Sequence, residues 1–356
     1  MIALPLVVQA FRQPRQLAAF SLAQWDLLLR QAAAANLSAA LYYLAGQSGQ
    51  LDALPAQARE QLEWARTLAE RHSQAVRFEV REIGRALAGL ALPLILLKGA
   101  AYTLAGLAPA RGRLFSDIDI LVPKERLADV EAELMLHGWA GGQHDAYDQR
   151  YYREWMHELP PMQHVKRQTQ IDVHHAILPE TAAVRPDPAA LRAAAVAAAD
   201  GVQVLAPADM VLHSAVHLFY DGQFNHGMRD LIDIQRLLLE FGKTPGFWEA
   251  LPPRAAELQL ARPLFYALRY ADRLLGLAVP PAALAGGRPA APLLALMDAL
   301  FGRALLPVHA SCADRWTGSA RFLLYIRGNW LRMPPLLLAR HLFHKAFLSP
   351  KHAEPA

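Results

Sequence analysis

The sequence predicts an α+β fold: a small mixed-sheet core at residues 91–180, an N-terminal helical segment at 1–90, and a larger C-terminal helical region at 207–356, with 181–206 as a connector. Three observations predict it. Apolar residues recur at helical spacing through both ends of the chain, and between them the period shortens to two in a few short runs. Of the 356 residues, 54% are hydrophobic and only 19% charged, which calls for a large buried core and excludes a disordered chain. The length exceeds what one compact core usually holds, so two or three packed units are expected.

From Leu17 to about Gly46, Leu22, Trp25, Leu28 and Leu29 fall at helical spacing and lead into an alanine run. After Pro55, the stretch AQAREQLEWARTLAERHSQAVRFEVREIGRALAGL carries opposite charges three and four residues apart, the pattern of a solvated helix face. PLILLKG then reads as a short strand, AAYTLAGL as a short helix, and LFSDIDILV as a second strand stopped by Pro123. Pro123 opens a helix through KERLADVEAELMLHGW, because proline is tolerated in a first turn. Residues 151–176 hold weaker strand signals broken by Pro160 and Pro161 and close on TQIDVHHAI. The segment 181–206 is rich in Ala and Pro, and beyond Pro207 the helical period returns to the end of the chain.

The formal charge of +4 and a pI near 9.2 favour phosphate-bearing ligands but fall short of a nucleic-acid-binding signature. Cys312 stands alone, which excludes an internal disulfide and a cysteine-pair zinc site and fits a reducing compartment. The opening MIALPLVVQAF lacks a basic leader and a small-residue cleavage site, so it reads as mature protein. No uncharged apolar run reaches the roughly 20 residues that span a bilayer, and a cytoplasmic location is expected.

The chemistry concentrates in LFSDIDILV. Residues two apart on a strand face the same side, so Asp117 and Asp119 project together while Ile118, Ile120 and Val122 face the core. Like charges this close raise at least one pKa unless a cation lies between them, and a divalent metal is the simplest remedy. Mg²⁺, with Mn²⁺ as the alternative, is bound by a few carboxylates together with water and substrate phosphates. In TQIDVHHAI, Asp172 alternates with Ile171 and Val173; beside the first strand it would complete a three-carboxylate cluster able to hold metal and activate an attacking hydroxyl. Gly99, at the strand-to-helix junction of LLKGAAYTL, lets backbone N–H groups approach a phosphate, and Lys98 adds a point charge. Arg111 and Arg113 in ARGRLFSD are placed to clamp a triphosphate, with Ser116 as a strand cap or phosphate contact.

A strand ending in glycine, a short helix, an Asp-x-Asp strand and a later acidic strand together resemble the polymerase β-type nucleotidyltransferase superfamily. The particular form LKG, SDIDILV, IDVHH and then a helical half with LIDI is similar to an uncharacterised bacterial nucleotidyltransferase family over roughly residues 90–240. The resemblance implies metal-dependent transfer of a nucleoside monophosphate from an NTP to an acceptor: a small molecule, an RNA or a protein. It makes Gly99 the phosphate-loop glycine, Asp117 and Asp119 the metal ligands, and Asp172 the third carboxylate and base. The commoner Gly-Ser loop is absent, since Ala100 follows Gly99. That departure also resembles toxin-type nucleotidyltransferases, and it supports the alternative of a non-catalytic NTP-binding protein. A nucleotide-sugar glycosyltransferase also uses Asp-x-Asp, but generally after a larger nucleotide-binding half.

Several histidines and charges accompany this motif set. His213 and His217 share a helix face, yet Ser214 stands where a metalloprotease has glutamate, so a structural or acceptor-side role is expected rather than zinc. His174 or His175 can orient Asp172 from behind. His174, His226, Arg229 and Asp233 are candidates for an acceptor pocket, with cap and ion-pair roles as the alternative. The Arg-rich stretch from Arg321 to Lys345 reads as a packed amphipathic helix with solvated arginines.

Overall fold

A computed structural model describes residues 4–142 and 155–334. Four helices lead the chain: α1 (Leu6–Arg12), α2 (Leu22–Ala34), α3 (Ser38–Gln47) and α4 (Ala56–Leu87). Where the helical period runs unbroken from Leu17 to Gly46, the structure divides it. Ser21 and Gln24 form a reciprocal capping box that starts α2, and Asn36, at φ 54°, turns the chain between α2 and α3. The long charged stretch is one helix of 32 residues, and it buries Leu62, Ala69, Val76, Val80 and Ile83 along one edge.

The central layer is a seven-stranded mixed sheet in the order β3-β4-β5-β2-β1-β7-β6. Its strands are β1 (Ile95–Leu96), β2 (Asp117–Leu121), β3 (Trp139–Gly141), β4 (Met162–His164), β5 (Gln170–His174), β6 (Val196–Ala197) and β7 (Gln203–Val204). Helix α5 (Lys98–Leu104) follows β1, and α6 (Leu127–Leu136) follows β2. The segment 181–206 is more than a tether: besides α7 (Pro188–Ala193) it supplies β6 and β7, and β7 pairs in parallel with β1. Two-residue strands are too short to display a period, which is why an Ala- and Pro-rich stretch conceals them.

The C-terminal half comprises α8 (Pro207–Tyr220), α9 (Gly227–Phe241), α10 (Phe247–Glu257), α11 (Ala261–Leu275), α12 (Ala291–Ala304) and α13 (Thr317–Arg332). The Arg-rich stretch is helical as far as Arg332, and its part beyond residue 334 lies outside the described residues. Phe219, Tyr266, Tyr270 and Phe301 pack ring against ring, with Phe219 and Phe301 centroids 5.1 Å apart. Helix α8 is buried on nearly every face, and its carboxylate Asp209 is matched by both arms of Arg254 at 2.7 and 2.8 Å. The apolar core runs without interruption from Val7 to Leu324.

Two contacts fix the sheet region against the helices before and after it in the chain. Tyr102 on α5 and Ser214 on α8 join their hydroxyls at 2.7 Å, and Ser214 donates onward to the Met210 carbonyl at 2.8 Å. In the loop ahead of β2, Gly112 has φ +79°, and a Cβ there would lie 2.5 Å from the Ala40 amide nitrogen of α3. Only glycine combines that dihedral with so close an approach. Gly112→Ala is therefore expected to lower stability by about 1–3 kcal/mol, read as a fall in the urea midpoint.

Candidate active site

Strands β2 and β5 run parallel and in register, with Asp119 opposite Asp172 and Asp117 opposite Gln170. The interleaved Ile118, Ile120, Ile171 and Val173 are at most 4% exposed and belong to the core. One face of the strand pair is thus committed to packing, and the other delivers three carboxylates. Oxygens of Asp117, Asp119 and Asp172 all lie within 4.8 Å of one another. Strand periodicity leaves open whether Asp172 lies beside the first acidic strand, and the register puts it opposite Asp119.

The three groups do not titrate alike. Burial, followed by the charges of Asp119 and Asp117, pushes Asp172 up to about 7, although Gln170 donates to it at 3.2 Å. Asp117 is also raised, by burial and then by Asp119, against a hydrogen bond from Ser116 at 2.9 Å. For Asp119 burial works the same way, but it is overcome by the Lys98 ammonium at 3.5 Å and by His174 Nε2 at 2.9 Å. That carboxyl stays well below its usual range. Burial likewise opposes the charge on Lys98, and Asp119, Asp117, Glu158 and Asp172 outweigh it and raise its pKa. Lys98, expected at a phosphate, has its ammonium on the carboxylate cluster, carried there by a left-handed backbone at φ 42°.

A cleft of about 310 Å³ opens in front of Asp117 and Asp119, with Asp172 beside them but outside its lining. Lys98, Gly99, Ser116, Asp117 and Asp119 form its sheet-side wall, and His217, Asp221, Gln223, Asn225, His226 and Arg229 form the helical side. Gly99 is needed for the shape of the wall, because a Cβ there would sit 2.3 Å from the Phe115 ring. Arg113 reaches the cleft with its side chain largely covered. It pairs with Asp233, lies 3.7 Å from Asp230, and has its guanidinium 5.7 Å from the centroid of the Tyr102 ring. Asp233 is accordingly the anchor of Arg113 and does not line the cleft, while Arg229 lines it and bonds Asp230 at 2.8 Å. His226 sits at the rim with Nδ1 3.4 Å from the Asn36 amide. Arg111 is exposed and lines a separate hollow with Tyr43, Glu70 and Arg77.

His174 stands behind Asp119 rather than in the cleft, so it orients Asp119 and not Asp172. His213 and His217 border a small cavity of about 40 Å³ beside Lys98. The Lys98 charge and then burial bring His217 down to about 4; His213, desolvated and close to Lys98, also stays neutral. Among the described residues they find no third ligand: the groups of three metal-type side chains are the aspartates and His157, Glu158 and His174. Glu158, Asp221, Gln223 and Asn225 escape a reading by motif, because they sit in irregular segments without a period or a spacing rule.

The donor set suits a hard divalent cation, which carboxylate oxygens bind and which relieves the repulsion that raises Asp117 and Asp172. A carboxyl whose folded pKa is raised stabilises the fold while protonated, and that contribution is lost as pH rises from its unfolded value near 4 to its folded value of about 7. The melting temperature of metal-free protein should therefore fall across that window. Asp172→Asn should flatten the slope, and added Mg²⁺ should raise the melting temperature more at pH 8 than at pH 5.

Among curated proteins none matches the chain. Over residues 21–276 it matches the model of a family described as uncharacterised nucleotidyltransferase. That span holds the glycine junction, both acidic strands, the cleft and the helices of its far wall, and the chain belongs to this family.

Proposed function

We propose that the chain is a metal-dependent nucleotidyltransferase that moves a nucleoside monophosphate from an NTP to a hydroxyl-bearing acceptor. The observation that carries this reading is the in-register pairing of Asp119 with Asp172 beside the glycine-lined cleft, in a chain of this family. Asp117, Asp119 and Asp172 would hold Mg²⁺ or Mn²⁺, which when bound neutralises charge on the triphosphate and on the departing pyrophosphate.

The chain's own residues supply the rest. Gly99 keeps the wall low enough for a triphosphate to approach the first turn of α5, whose N–H groups have no intrahelical acceptor. Lys98 and Arg229 add positive charge on the two walls. Asp172, set in register opposite Asp119, is placed to take the acceptor's proton. The acceptor oxygen then bonds to the α-phosphorus, the bond to the β-phosphate oxygen breaks, and pyrophosphate leaves. Gln223, Asn225 and His226, polar and exposed on the far wall, face the acceptor side.

One observation favours a second reading, an NTP-binding protein without turnover. Ala100 offers no hydroxyl to a phosphate, and the Lys98 ammonium already rests on Asp119. The two readings part in a single assay. Purified protein is incubated with each labelled NTP and Mg²⁺ or Mn²⁺, alone and with cell extract, while pyrophosphate is followed. Transferase activity should fall at least about 100-fold in Asp117→Asn and in Asp119→Asn. Magnesium-dependent NTP binding by calorimetry with no pyrophosphate from any acceptor would establish the non-catalytic reading. No label transfer, together with NTP binding unchanged by Asp117→Asn, would remove both.

Lys98 gives an independent check. If its ammonium swings from Asp119 to a phosphate once metal is bound, Lys98→Met should raise KM for the NTP about tenfold and lower kcat less, the pattern of a lost ground-state contact.

A further inference from the structure

Behind the carboxylate cluster, on the side of His174 away from Asp119, the chain gathers a second set of ligand-type groups. The stretch ahead of β4 runs antiparallel to the end of β5: Glu158 bridges His174, the Leu159 amide donates to the Val173 carbonyl at 2.9 Å, and the His175 amide donates to the His157 carbonyl at 2.8 Å. The backbone thus fixes His157 and Glu158 beside His174. One ligand atom from each of the three residues lies within 4.8 Å of the others, and the two imidazole rings are 5.3 Å apart.

Two buried ring nitrogens of this group make no hydrogen bond. His174 is 4% exposed and spends Nε2 on Asp119, while its Nδ1 makes no hydrogen bond although the Glu158 carboxylate is 3.1 Å away. The Nδ1 of His157 is likewise buried without a partner. With Nε2 committed to Asp119, the Nδ1 of His174 faces the Glu158 carboxylate at 3.1 Å, and a proton or a metal ion must lie between them. Two ligands about 2.0–2.1 Å from a tetrahedral Zn²⁺ stand about 3.3 Å apart, which the observed spacing of these groups accommodates.

We propose that His157, Glu158 and His174 form a second metal site, distinct from the aspartate cluster and selective for a divalent ion of the zinc class. Two imidazoles and one carboxylate are the ligands such ions prefer, whereas Mg²⁺ seeks oxygen. The adjoining 40 Å³ cavity, bordered by His157, His174, His213 and Lys98, has room for a water as the remaining ligand. Bound at Nδ1, the ion fixes the tautomer in which His174 donates to Asp119, so it positions one ligand of the aspartate cluster from behind.

The test uses the full chain carrying Asp117→Asn and Asp172→Asn, which disables the aspartate cluster and leaves the second site intact. Elemental analysis after dialysis against Zn²⁺, and the visible d–d absorption of the Co²⁺-loaded protein, are measured with no nucleotide present. The expected result is one Zn²⁺ per chain and a Co²⁺ spectrum of low coordination number. Adding Glu158→Gln or His157→Ala in that background should weaken Zn²⁺ binding at least about tenfold. Glu158→Gln is nearly isosteric, and circular dichroism confirms that each variant is folded. Absence of bound Zn²⁺ from the background variant overturns the proposal and leaves a doubly protonated His174 paired with Glu158 and Asp119. Zn²⁺ binding unchanged by both added substitutions also overturns it. None of these readouts depends on nucleotide transfer, so loss of the transferase reading would leave the result standing.

Discussion

Everything around the cleft is arranged about the mutual repulsion of Asp117, Asp119 and Asp172. Two unit charges under 5 Å apart at an effective dielectric near 20 repel by roughly 3–4 kcal/mol, and here three such pairs converge. One ammonium, Lys98 at 3.5 Å from Asp119, offsets about one of them. The fold tolerates the remainder because one face of β2 and β5 is locked into the core by Ile118, Ile120, Ile171 and Val173. Packing on that face supplies the stability that charge on the other removes, and the site stands ready to take up a cation.

The same interaction explains why neighbouring groups have their ionisation states. His174 is drawn against Asp119; His213 and His217 lose their protons to desolvation and to the nearby lysine; Asp172, buried beside two other carboxylates, is left holding a proton near neutral pH. A single buried charge imbalance sets four side chains on two elements, β5 and α8.

What the sequence makes legible follows strand length. The five-residue strands β2 and β5 show their period, so the aspartates and their apolar alternates could be sorted by face before any coordinates. The register that sets Asp119 against Asp172 spans 53 positions along the chain and is decided by tertiary packing, so periodicity could propose that neighbourhood but not establish it. Arg111 and Arg113 look equivalent in ARGRLFSD, yet the positive φ of Gly112 between them turns the chain, leaving one arginine in solvent and burying the other against Asp233. The resting place of the Lys98 ammonium, 3.5 Å from Asp119, is set by tertiary packing, which a sequence does not show for a flexible side chain. His157 and Glu158 lie in a stretch with no regular pattern and gave no signal at all.

The turn from Asp221 to His226 has an alternating character of its own. Gly222 is wedged against α13, where a Cβ would meet the Leu324 carbonyl at 3.1 Å, and Phe224 packs on Phe301, while Gln223, Asn225 and His226 stand exposed at the cleft. Anchor and display are thereby assigned to different residues of one short loop. Side chains at the three displayed positions can change without disturbing the core, so the chemistry of the cleft's far wall can vary at little cost in folding while the carboxylate-bearing wall stays as it is.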